Sequence, residues 1–118
     1  MHTEQSMPLI EAGRAMGDAI VEMSAKSFGC VGVISEQGAL AGIITDGDLR
    51  RHMAADLMAM PVDEVMTRAP ITISGDMLAV EALELLNSKK RTTIFIVDAA
   101  NVPQGILHLH DLLRLGVA

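Results

Sequence analysis

The chain has 118 residues, half of them apolar and a fifth charged, which suits one compact domain and excludes a disordered segment. Nine Lys and Arg stand against fifteen Asp and Glu, a net charge of −6, and no basic block occurs. That argues against nucleic acid and anionic membrane surfaces as partners, since both need clustered cations.

The opening Met1-His2-Thr3-Glu4-Gln5-Ser6 lacks the basic and apolar regions of a signal peptide. No apolar run approaches the ~18–20 residues that span a bilayer, so the sequence reads as cytoplasmic. A short extended piece is expected at Leu9-Ile10, after Pro8, and a helix follows with Met16, Ile20 and Met23 on one face. Two strands come next, near 30–34 and 40–44, apolar at nearly every position and so expected to be buried on both faces. The lone cysteine, Cys30, opens the first of them in Cys-Val-Gly-Val-Ile, which reads as a buried structural thiol. Glu36-Gln37-Gly38 makes a turn between the strands, and a second helix starts near Asp46. Met60-Pro61-Val62-Asp63 opens a connection. The same order then returns: an extended Ile71-Thr72-Ile73, a helix with Ala79, Leu83 and Leu86 inward, strands near 93–97 and 104–108 around Asp98-Ala99-Ala100-Asn101, and a last helix near Leu109.

This recurrence is a duplication. Gly42-Ile43-Ile44-Thr45-Asp46-Gly47-Asp48-Leu49-Arg50-Arg51 lies over Gly105-Ile106-Leu107-His108-Leu109-His110-Asp111-Leu112-Leu113-Arg114 at an offset of 63 residues, Gly42 to Gly105. The offset carries Val31 and Val33 onto Ile94 and Ile96, and Ala19, Ile20, Met23 and Lys26 onto Ala82, Leu83, Leu86 and Lys89, without a gap. The expected division is repeat 1 over 1–58 and repeat 2 over 59–118, each a β-α-β-β-α unit. Met66-Thr67 precedes Pro70 much as Met1-His2-Thr3 precedes Pro8, so the chain is expected to be the C-terminal piece of a longer protein.

Thr45 and Asp48 admit two readings. Thr-x-x-Asp is a capping box at a helix start. Yet the second repeat keeps Asp111 although His108 has replaced the capping Thr, and a retained carboxylate is also what a ligand contact needs. His108 suits donation to a phosphate or carboxylate. His108 and His110 have the period-2 spacing of strand ligands, but no third ligand beyond Asp111 is evident and no metal is assigned. Arg51 and Arg114 recur after the carboxylates, and their guanidinium groups suit either a phosphate or an ion pair. Lys89-Lys90-Arg91 fits the negative end of a helix. No nucleophile–base pair, Walker loop or dinucleotide loop occurs, so no catalytic residue is expected in this chain. Only Phe28 and Phe95 are aromatic, so a base held here would lie between aliphatic side chains.

A doubled β-α-β-β-α unit whose strand ends Gly-x-x-Thr-x-x-Asp at a helix mouth resembles the CBS-domain pair. Val65-Met66-Thr67, Thr45-Asp46-Gly47-Asp48-Leu49-Arg50-Arg51 and Leu107-His108-Leu109-His110-Asp111-Leu112-Leu113-Arg114 are similar to the C-terminal CBS pair of arabinose-5-phosphate isomerases. The resemblance implies an α/β (α+β) fold with pseudo-twofold symmetry between the repeats and two clefts walled by Val31, Val33, Ile94 and Ile96. It implies ribose hydroxyls on Asp48 or Asp111 and phosphate on Thr45, Arg51 or Arg114, whereas His108 departs from the Thr of the motif. It further implies a regulatory module for a nucleotide or nucleotide-sugar, with no cofactor of its own. The parent would carry an N-terminal sugar-isomerase domain, absent here, that interconverts ribulose 5-phosphate and arabinose 5-phosphate in carbohydrate metabolism toward Kdo and lipopolysaccharide or capsule. The expected allosteric ligand is CMP-Kdo, with an adenine nucleotide as alternative. The competing readings are a structural oligomerisation module without ligand and an adenine-nucleotide sensor of another enzyme. A homodimer is expected through helices carrying Leu49, Met53, Leu57, Leu112 and Leu113.

Overall fold

The structure, a computed structural model, describes residues 7–26, 29–68, 70–76, 79–88 and 93–108. These residues fall into two compact units, one spanning Pro8–Pro70 and the other holding Met7 and the described residues from Ile71 to His108.

In the first unit, strand β1 (Leu9–Glu11) leads into helix α1 (Met16–Lys26), then strands β2 (Cys30–Ile34) and β3 (Leu40–Thr45). Asp18 in the first turn of α1 and Lys26 in its last suit the helix dipole. Apolar residues recur at helical spacing and place Met16, Ala19 and Met23 inward, with Ile20 only partly covered. β1 runs parallel to β2 across the α1 crossover, and β2 runs antiparallel to β3. Helix α2 (Asp46–Arg51) follows β3 without a break.

The expected connection after Met60 is a structural part of this unit. A 3-10 turn at Leu57–Ala59 leads to the short helix α3 (Val62–Val65) and strand β4 (Thr67–Arg68). β4 adds to the sheet beside β3, in the order β1-β2-β3-β4. The Met16 N–H donates to the Met60 carbonyl at 2.8 Å, and the Val62 N–H to the Arg14 carbonyl at 2.8 Å. Asp63 accepts from the Gly13 N–H at 2.7 Å. Leu57, Val62, Val65 and Met66 join Ile10, Val31, Val33, Ile44 and the inner face of α1 in one core.

The second unit repeats the plan: strand β5 (Thr72–Ser74), helix α4 (Ala79–Ser88), and strands β6 (Thr93–Val97) and β7 (Pro103–His108), with sheet order β5-β6-β7. Ala82 and Leu86 pack on Ile73, Ile94 and Ile96, while Leu83 is partly buried. The pairing registers obey the 63-residue offset throughout. Cys30 faces Thr45 as Thr93 faces His108, and each hairpin slips at the same place, before Ile34 and before Val97. The turns correspond as well. Gly38 takes a positive φ of 83°, and Asn101, 63 positions on, takes 65°, the two residue types that adopt this conformation most readily. Asp98 secures the second turn by accepting from the Ala100 and Val102 N–H groups, both at 2.9 Å.

Burial on both faces holds for β2 and β6 but not for β3, where Leu40, Gly42 and Ile44 are buried and Ala41, Ile43 and Thr45 only half so. Among the described residues no helix is long and apolar enough to cross a membrane.

The β3–β4 contact rests on Gly42. A Cβ there would stand 2.6 Å from Met66 Sδ and 2.9 Å from the Thr67 carbonyl oxygen. Gly42→Ala should therefore push β4 off the sheet and lower stability by about 1–3 kcal/mol. Denaturant unfolding measures this, and an unchanged midpoint would show that β4 accommodates the methyl group.

Candidate functional site

The most developed polar site lies where β3 becomes α2. Thr45 is the N-cap of α2 in extended conformation, and its hydroxyl accepts from the Asp48 N–H at 3.4 Å. The Asp48 carboxylate reaches back and accepts from the Thr45 N–H at 2.8 Å, which completes the capping box. Thr45 Oγ1 also lies 3.1 Å from Asp48 Oδ2.

The other oxygen, Oδ1, accepts from Thr67 Oγ1 of β4 at 2.8 Å and from the Arg51 guanidinium. Asp48 thus ties the start of α2 to strand β4, nineteen residues away. It is 2% exposed, the only buried charged side chain among the described residues. Burial by itself raises its carboxyl pKa. The hydrogen bonds from Thr67, the Thr45 N–H, the Thr45 hydroxyl and Arg51 outweigh that and hold it below the usual carboxylate value.

The structure therefore brings Thr45, Asp48 and Arg51 together and adds Thr67, which sequence reasoning missed. Its signal was present in Val65-Met66-Thr67, but nothing local reveals that this Thr pairs with Asp48. His108 ends β7 at the position equivalent to Thr45 and is half-buried. Asp111 and Arg114 lie outside the described residues, as do His110, Leu112 and Leu113.

The expected apolar wall residues lie within the two cores. Val31 and Val33 are fully buried in the core beneath α1, and Ile94 and Ile96 are 3% and 5% exposed in the core beneath α4. All four contribute to packing in those cores. Phe95 is also buried. Leu57, expected on a dimer face, belongs to the core, and Leu49 packs against it, whereas Met53 is 69% exposed.

The repeated register and the capped Thr-x-x-Asp turn define a class. The chain belongs to the CBS-domain family: the CBS domain model matches residues 5–55 and again 62–118. Within it, the chain is 40% identical over 119 residues to arabinose 5-phosphate isomerase KdsD of Pseudomonas aeruginosa and 37% identical to that of Escherichia coli K12. It covers 99% of its own length and 36% of each of those proteins, so it spans about a third of the relatives it matches. Solved structures share the fold. The AMP complex of CBSX2 has a TM-score of 0.85 at 22% identity, covering 99% of this chain and 92% of that one. The CBS domain pair of protein MJ0100, in complex with 5'-methylthioadenosine and S-adenosyl-L-methionine, has a TM-score of 0.81 at 21% identity, covering 97% and 90%.

Because the Asp48 pKa is lower folded than unfolded, its stabilisation is fully present above the ordinary carboxylate value and is lost as pH falls through the folded one. Asp48→Asn should cost about 1–3 kcal/mol near neutrality, the range for bonds to a charged group, and the gap to wild type should narrow as pH falls below the ordinary carboxylate value. Melting curves across pH test it. A gap that stays constant into acid would mean that the charge contributes nothing.

Proposed function

We propose that the chain is the regulatory, small-molecule-binding CBS pair of an arabinose-5-phosphate isomerase, and that its ligand is a nucleotide or nucleotide-sugar. The observation that carries this reading is the 37–40% identity to such isomerases along 99% of the chain. The sequence shows no catalytic set, so chemistry belongs to an isomerase domain attached in cis. In the first repeat Asp48 would meet ribose hydroxyls and Thr45 the phosphate; in the second, Asp111 and Arg114 would do so, with His108 in place of Thr. Known CBS pairs in complex with AMP and with S-adenosyl-L-methionine support a nucleoside as the common element. Pathway logic favours CMP-Kdo, the activated end product of a cytoplasmic route to lipopolysaccharide or capsule, over the substrate. Binding would bias the attached enzyme by a coupling of about 1–3 kcal/mol.

A second reading is a structural module that only assembles the parent, and the exposure of Met53 and Met58 supports it. Met53 precedes the Leu57–Ala59 turn and Met58 lies within it, and exposed apolar side chains favour association.

The pure chain should give no turnover of ribulose 5-phosphate above a mock preparation. Calorimetric titration with CMP-Kdo and with AMP should show binding to wild type, weakened roughly tenfold or more in Asp48→Asn and Asp111→Asn. Unaltered affinity in both variants would end the ribose assignment. No heat with either nucleotide would favour the structural module.

Light scattering at about 100 μM, above the dissociation constant of a typical specific interface, should give a dimer mass, and Met53→Glu should shift it toward monomer. A monomeric wild type would overturn the dimer.

A further inference from the structure

A carboxylate offers about four lone-pair sites, two on each oxygen. At Asp48 all four are taken within the unit: Oδ2 by the Thr45 N–H and hydroxyl, Oδ1 by Thr67 Oγ1 and Arg51. A ligand hydroxyl can bond to this group only by displacing one of those donors. The Thr45 N–H is backbone fixed by β3, and the Thr45 hydroxyl is engaged by the Asp48 N–H as well. Thr67 sits on β4, paired to β3 through Ile43, and its short side chain leaves it no alternative position without moving the strand.

Arg51 differs from the other three donors in its long, flexible stem, not in exposure alone, since Thr67 is exposed as well. Its side chain is 64% exposed while that of Asp48 is 3% exposed, so one end of the ion pair is in water and the other is not. A guanidinium on a long flexible stem is fully solvated when released, and its end of the pair is already in water. It is the donor that can leave at least cost.

We propose that Arg51 is a built-in competitor for the ligand: its guanidinium occupies Oδ1 of Asp48 and must swing out before a hydroxyl can bind there. This rests on the nucleotide-binding reading and adds a regulatory element to it. It also departs from a phosphate role for Arg51, because a competitor weakens binding whereas a phosphate partner strengthens it.

The two roles separate with a probe that has the ribose diol and no phosphate. 5'-Methylthioadenosine is such a probe, and it is titrated by calorimetry into wild type and Arg51→Ala, with Arg51→Gln as a second variant that keeps the stem and drops the charge. Melting curves confirm that each is folded at the assay temperature. Both variants should bind it about two- to fivefold more tightly than wild type, the inverse of the modest strength of an ion pair with one end in water. Equal or weaker binding by the folded variants, with wild type binding normally, would overturn the competitor role and leave the nucleotide reading intact. Absence of binding to wild type and to both variants, with 5'-methylthioadenosine and with AMP at millimolar concentration, would overturn both.

Discussion

A carboxylate withdrawn from water must find a donor for each of its lone pairs, or its burial costs several kcal/mol. Asp48 meets that requirement with donors from three places: the end of β3, the last turn of α2 and strand β4. The first unit is organised around this demand. α2 can begin only where Thr45 turns out of the strand, and β4 must come close enough to present Thr67. That approach in turn requires a residue without a side chain at Gly42. One buried charge thus links a helix cap, a sheet edge nineteen residues away and the glycine that lets that edge approach.

The second constraint is shared by both units. β2 and β6 each sit between a parallel and an antiparallel neighbour and bury Val31 and Val33, or Ile94 and Ile96, beneath a helix. A one-residue slip would carry those side chains to the opposite face of the sheet, away from the helix they pack on, so register is firmly held and survives the divergence of the two halves. Where the conformation is demanding, the halves converge on residues that tolerate it, as Gly38 and Asn101 do. Where it is not, they differ freely, as Thr45 and His108 do at matched positions.

That difference bears on function. In the first unit the same atoms that stabilise the fold are those the proposed function assigns to a ligand, so under that proposal stability and binding would compete for Asp48. A ligand that took Oδ1 would alter the donor set holding α2 to β4. Replacing the capping Thr by His108 removes the hydroxyl on which that arrangement depends, so the two repeats are chemically unequal.

Sequence alone determined the duplication, the order of strands and helices within the repeat, the helix face at Met16 and Met23, and the capping box as one reading of Thr45 and Asp48. Each is a short-range signal: a period, a turn residue or a box of four positions. Tertiary structure decided the rest. Val31 and Val33 read equally well as a cleft wall or a core, because apolarity does not say what covers it, and only the packing of α1 assigns them to the interior. The stretch after Met60 reads as a connection because its helix and strand have four and two residues, too few for a periodic signal. Thr67 became a partner of Asp48 because a hydrogen bond spanning nineteen residues leaves no spacing to detect. Local chemistry writes elements into a sequence. Which distant donor satisfies a buried charge is set by the fold that brings them within 3 Å of each other.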